Sequence, residues 1–220
     1  MIHRFFPALI FLAGVFCNGG AEAKLYPDWE GFSPFYSMNG VIEFQGKVYG
    51  TSKGGIFRYD PETREYTLFY KGYGLESNTA QCVAATSEYL YFGFETAGLL
   101  RFDPRTDTFE PILFPEYVPS HVGVRAIFAK SDSILYVGHS QGVDMLNLVT
   151  NEVRTCNRLG KLPENTPVND VQAFKGKIWV CTPNGLAVID ENNPNLELDN
   201  AWKSYTYTYF EKTTGFYCIM

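Results

Sequence analysis

The chain has 220 residues, with 18 Lys and Arg against 24 Asp and Glu, a net charge of −6 and an aromatic share of 16%. Mild acidity with no clustered basic face argues against a nucleic-acid partner, because phosphate binding needs Lys and Arg gathered on one surface. The 15 Tyr and 18 Phe alongside 20 Gly and 12 Pro suit many short strands separated by turns.

Residues 1–23 have the layout of a signal peptide. A basic start, Met1-Ile2-His3-Arg4, leads into an apolar run from Phe5 to Phe16 and a polar stretch ending Ala21-Glu22-Ala23. The run is shorter than the about 20 apolar residues that cross a bilayer, and no later segment comes close, so no transmembrane segment is expected. A lipid anchor on Cys17 is the rival reading; the bulky Phe16 stands where the bacterial lipoprotein motif resembles a small-residue slot. Export to the periplasm, the medium or the cell surface follows from either reading. Residues 24–40 form an N-terminal segment in which Trp29-Glu30-Gly31-Phe32-Ser33 looks like an orphan outer strand.

From Val41 onward the chain repeats. A glycine column runs Gly55, Gly98, Gly142, Gly185 and a turn column runs Asp60, Asp103, Asn147, Asp190, both in steps of 43, 44 and 43 residues. Between the columns lie short apolar segments such as Ile56-Phe57-Arg58-Tyr59, read as strands entered by a glycine and left through a turn. Asp60-Pro61 and Asp103-Pro104 carry type I turn chemistry, the acid bonding backbone amides and Pro presetting φ. A strand precedes each glycine, another precedes that, and a fourth follows each turn.

Four short strands per unit of about 43 residues is the β-propeller blade signature. Stacking in a solenoid is the alternative, but leucine-rich and β-helix coils are shorter. The expected fold is all-β, a β-propeller of four four-stranded blades plus the start of a fifth in an incomplete ring. Its blades span about 41–79, 80–123, 124–167 and 168–210, with a partial unit at 211–220. The strand-like end Gly215 to Met220 and the orphan strand near Trp29 together lead us to expect a truncated reading frame, with further blades beyond Met220. Tyr49, Phe92, Tyr136 and Trp179, spaced like the glycines, are expected to fill the gaps between blades. Cys82, Cys156, Cys181 and Cys218 show no CxxC spacing, which disfavours structural zinc and leaves buried thiols or disulfides open.

The fourth unit reads Leu162-Pro163-Glu164-Asn165, then Ile178-Trp179-Val180-Cys181-Thr182, Asn184-Gly185-Leu186 and Ile189-Asp190. With Gly54-Gly55-Ile56 and Tyr59-Asp60-Pro61, this resembles the two-component regulator propeller repeat of periplasmic sensor regions in bacterial hybrid histidine kinases. Only Trp179 fills that repeat's strand tryptophan, and Cys181 stands where Gly93 and Gly138 keep its glycine. The resemblance implies an exported, non-catalytic binding or sensing module. Its partner would be a small ligand, glycan or protein, and a signalling partner or a C-terminal signalling domain would relay the event.

Propellers place ligands at the mouth of the central channel, on the loops joining second to third strands and each blade to the next. Those loops bring forward Lys53, Glu95, His121, His139 and Asn184 as candidate ligand-binding residues. Lys53 and Asn184 suit a carboxylate or sugar hydroxyl. His121 and His139 with Glu95 have the residue types of metal ligands or acid–base groups, against a plain reading as solvated loop histidines. No cofactor, metal site or catalytic residue is assigned. The competing reading is a propeller-scaffold enzyme such as a metal-dependent lyase, which would need several His and acidic residues at one mouth.

Overall fold

The computed structural model describes residues 35–112 and 123–206. The signal peptide, the segment at Trp29, the end from Gly215 to Met220, and His121 lie outside them. Among the described residues the structure is strand and turn, with single 3-10 turns at Lys71–Tyr73 and Asp199–Ala201.

The first blade is β1 (Met38–Phe44), β2 (Lys47–Ser52), β3 (Gly55–Tyr59) and β4 (Tyr66–Phe69); the second is β5 (Ala80–Ala85), β6 (Leu90–Phe94), β7 (Gly98–Asp103) and β8 (Thr108–Pro111). The third is β9 (Val124–Ser131), β10 (Ile134–His139), β11 (Gly142–Asn147) and β12 (Glu152–Cys156); the fourth is β13 (Asp170–Phe174), β14 (Lys177–Thr182), β15 (Gly185–Asp190) and β16 (Lys203–Thr206). Each blade is a four-stranded antiparallel sheet whose strands pair in chain order. The innermost strands sit side by side, β1 against β5, β5 against β9 and β9 against β13.

Turn chemistry explains the meander. The side chains of Asp60, Asp103, Asn147 and Asp190 each accept the amide two residues on, at 2.9, 2.9, 2.9 and 3.0 Å. The recurring acid or amide therefore holds the outer turn of every blade. Glycine opens the third strand for a steric reason at Gly55, Gly142 and Gly185, where φ is 129°, 146° and 144°. A Cβ there would meet the carbonyl oxygen of Phe69, Cys156 or Tyr205 at 2.1–2.3 Å.

Strand alternation gives each blade two apolar faces, one toward the preceding blade and one toward the next. Three buried clusters fill the resulting gaps. Phe44, Tyr49, Ile56 and Phe69 of the first blade pack on Leu90, Phe92 and Phe102 of the second. Tyr91, Leu99 and Ala84 meet Leu135, Val137 and Leu146. Tyr136, Val143 and Cys156 meet Val171, Ile178, Ile189 and Trp202. Polar ties cross the same gaps: Arg58 pairs with Asp107, the Ser87 amide donates to Asp132 at 2.7 Å, and Lys130 donates to the Glu191 carbonyl at 2.8 Å.

One expectation is corrected in detail. Ser52 pairs with Gly55, His139 with Gly142 and Thr182 with Gly185, but in the second blade it is Phe94 that pairs with Gly98. That hairpin holds one extra residue. Counting 43 residues from Tyr49 lands on Phe92, whereas ladder register puts Tyr91 beside Tyr49, Tyr136 and Trp179. A shift of one residue turns a strand side chain to the opposite face. Tyr91 accordingly faces the third blade, and Phe92 packs back on the first. Trp179 is only half-buried, stacked 6.4 Å from Tyr205 on the outward side of the fourth blade.

Close approach between blades rests on glycine. A Cβ on Gly138 would lie 2.4 Å from Val168 Cγ1 and 3.2 Å from Ala126 Cβ, so the fourth blade reaches the third only because that position is bare. Gly138→Ala is expected to lower stability by about 1–3 kcal/mol, the range for overpacked cores. Urea denaturation would show it as a lower midpoint with an unchanged slope.

No disulfide links the described cysteines Cys82, Cys156 and Cys181. Cys156 is 1% exposed. Its thiol points at the Arg158 carbonyl at 3.1 Å, and burial pushes its pKa up to about 11. Because the thiolate is the reactive form, Cys156 is expected to label with a disulfide reagent at pH 8 only after unfolding. Mass spectrometry of native and denatured samples would check this.

Candidate functional site

Each inner strand starts at one rim of the molecule. There the same position, just after Met38, Ala80, Val124 and Val168, is filled by Asn39, Gln81, Arg125 and Asn169. These four line a cavity of about 710 Å³ together with Lys53, Glu95, Gly123 and Ser140. Every blade contributes one hydrogen-bonding side chain at or just before the start of its inner strand, and the first three add a hairpin residue beside it.

The lining is held from within. Asn39 Nδ2 donates to the Ala80 carbonyl at 2.8 Å, bridging the first two blades. Gln81 Nε2 lies 3.4 Å from Glu95 Oε2, and Arg125 donates to Asn169 Oδ1 at 3.2 Å, bridging the third and fourth. The backbone is tied too, with the Ser140 amide on the Gly123 carbonyl at 3.1 Å and the Val168 amide on the His139 carbonyl at 2.9 Å. Two cations, Lys53 and Arg125, face one carboxylate, Glu95, amid three carboxamides. Carboxamides both donate and accept, so such a lining can match hydroxyls and peptide groups. Paired cations add affinity for a carboxylate.

Of the residues singled out in the sequence, Lys53 and Glu95 line this cavity. Asn184 does not. Its side chain donates to Thr166 Oγ1 at 3.3 Å, and Thr166 donates to the Pro163 carbonyl at 2.7 Å, so Asn184 braces the connector into the fourth blade. Neither is His139 an open loop residue: it is 3% exposed. Sequence reasoning passed over Asn39, Gln81, Arg125 and Asn169, although their steps of 42, 44 and 44 residues follow the blade period.

Three of the four rim hairpins share a device. Ser52 Oγ accepts the Gly54 amide at 3.0 Å, Thr182 Oγ1 accepts the Asn184 amide at 3.1 Å, and His139 Nδ1 accepts the Gln141 amide at 3.2 Å. Histidine thus does a hydroxyl's work. Accepting at Nδ1 places the proton of the neutral ring on Nε2, and Nε2 lies 3.3 Å from Asp144 Oδ1. Asp144 is 1% exposed, and neither facing atom completes a hydrogen bond among the described residues. His139 and Asp144 are a buried polar pair within the third blade, with Nδ1 of the imidazole taken up by the hairpin. Among the described residues no three His, Cys, Asp or Glu side chains converge as a metal site would require.

The fold is a β-propeller, and solved structures like it range from extracellular domains of bacterial signalling systems to WD40 repeats. The extracellular domain of the one component system BT4673 from B. thetaiotaomicron superposes with a TM-score of 0.69 at 17% identity, over 88% of this chain and 25% of that one. The extracellular domain of the hybrid two component system BT3049 from the same organism gives 0.63 at 19% identity, over 83% of this chain and 25% of that one. PorZ, a surface component of the type-IX secretion system of Porphyromonas gingivalis, gives 0.59 at 15% identity, over 81% and 24%. The chain spans about a quarter of the length of each. No protein-family model and no curated protein sequence matches it.

Removing the His139 imidazole deletes the hairpin acceptor and leaves Asp144 buried without its neighbour. His139→Ala is expected to cost about 1–3 kcal/mol, the range for leaving a buried backbone amide without its acceptor. Asp144→Ala in the same background should recover part of that loss, which a double-mutant cycle by chemical denaturation would measure.

Proposed function

We propose that this chain is an exported, non-catalytic propeller module that binds a polar ligand at the rim cavity. One observation carries the reading: the blade period places Asn39, Gln81, Arg125 and Asn169 around a single opening, beside Lys53 and Glu95. The ligand class that fits is an oligosaccharide or peptide bearing a carboxylate, its hydroxyls or amides meeting the carboxamides and its acid meeting Lys53 and Arg125. Likeness to extracellular domains of bacterial signalling systems supports a sensing role, as does the resemblance of the repeat to two-component regulator propellers. In that role, a signalling partner or a further C-terminal domain relays occupancy. The working location is the periplasm or the cell surface.

An array of neutral and acidic glycans, followed by calorimetry on each hit, tests the proposal. Arg125→Ala is expected to weaken an acidic hit about tenfold or more, in line with a charge-assisted hydrogen bond. Lys53→Ala should do the same, while neutral analogues lose little. Affinity that both substitutions leave untouched would place binding elsewhere and overturn this reading.

A further inference from the structure

Away from the rim, Arg58, Arg101, Arg105, Arg154 and Arg158 each reach a carboxylate. The rim is different. Lys53, Glu95 and Arg125 stand on three successive blades and line one cavity, yet no ion pair joins any of them to an opposite charge among the described residues.

Carboxamides keep the opposite charges apart. Arg125 donates to Asn169 Oδ1 of the fourth blade at 3.2 Å, and Glu95 Oε2 takes the Gln81 carboxamide of its own blade at 3.4 Å. The Glu95 backbone abuts the lead into the third blade, where a Cβ on Gly123 would lie 2.9 Å from the Glu95 carbonyl oxygen. The hairpin that carries the carboxylate is thereby held in place while its side chain stays exposed.

A carboxylate offers about four lone-pair sites, and one neutral donor occupies one of them. A ligand that covers Glu95 strips water from the rest, which is unfavourable unless it brings a cationic donor of its own. An acidic sugar brings none: it satisfies Lys53 and Arg125 but leaves Glu95 stripped beside a second negative charge. A neutral ligand leaves all three charges without a counterpart. A short peptide with a free amino terminus carries both signs, and its amides match the carboxamides of Asn39, Gln81 and Asn169, which both donate and accept.

Building on the rim as the binding site, we propose that it recognises a short peptide with a free amino terminus, the ammonium on Glu95 and a carboxylate on Lys53 or Arg125 of the flanking blades. Glu95 is then the residue that separates a zwitterion from a plain acid.

Calorimetry on the full chain with tripeptides Ala-X-Ala, X being each common amino acid in turn, gives the test when every peptide is measured with a free and with an acetylated amino terminus. The carboxyl terminus stays free in both forms. Free peptides are expected to bind, and acetylation should weaken each hit about tenfold or more, the scale of a charge-assisted hydrogen bond. Glu95→Gln should erase the difference between the two forms, while Arg125→Ala weakens both. Equal affinity of the two forms on the unaltered chain, or a loss on acetylation that persists in Glu95→Gln, overturns the proposal; the first comparison needs no variant to fold. If acidic glycans bind in an Arg125-dependent way and no free tripeptide does, the rim remains the site and the zwitterion is wrong. If neither class binds, or if Arg125→Ala and Lys53→Ala leave every affinity unchanged, the rim itself falls and the zwitterion falls with it.

Discussion

Everything in this molecule depends on one blade's forward face fitting the rear face of the next. A four-stranded sheet of some thirty ordered residues buries too little on its own, since every side chain on one surface would stay in water. The aromatic contacts from Tyr49 and Phe69 to Phe102 supply area for the first pair. Aliphatic side chains together with Tyr91 do so for the second, and with Tyr136 and Trp202 for the third. Glycine sets how near the sheets can come: Gly93 and Gly138 are bare where Val124 and Val168 of the following blade press in. Sequence period, face chemistry and blade spacing are therefore one constraint seen at three scales.

That coupling explains how much could be read from the chain alone. Turns were legible because an Asp or Asn whose side chain accepts the amide two residues on leaves a strong local signature, repeated in each unit. The glycine column was legible because positive φ has few other solutions. Strand faces were less so. A single inserted residue in the hairpin at Glu95-Thr96-Ala97 reverses which aromatic of Tyr91 and Phe92 looks forward, and both are apolar, so composition gives no warning. Only pairing across the ladder decides between them.

At the rim the difficulty was of another kind. Asn39, Gln81, Arg125 and Asn169 share a position but not a residue type, and polar residues at strand starts are ordinary. Their common role emerges only when the inner strands stand side by side. Lys53 and Glu95 were accessible to reasoning because hairpin loops were known to gather there. His139 pointed the other way: a loop histidine suggests chemistry, yet a nitrogen taken up by the Gln141 amide and an edge turned to buried Asp144 make it a fold element.

The locked hairpins have a consequence for how such a scaffold diversifies. Because the residue before each rim turn, Ser52, His139 or Thr182, satisfies the backbone by itself, the neighbours at 53, 140 and 183 are released from any duty to hold the bend. Lys, Ser and Pro occupy them here. Positions 53 and 140 line the rim cavity, so its chemistry can change there without disturbing the architecture beneath.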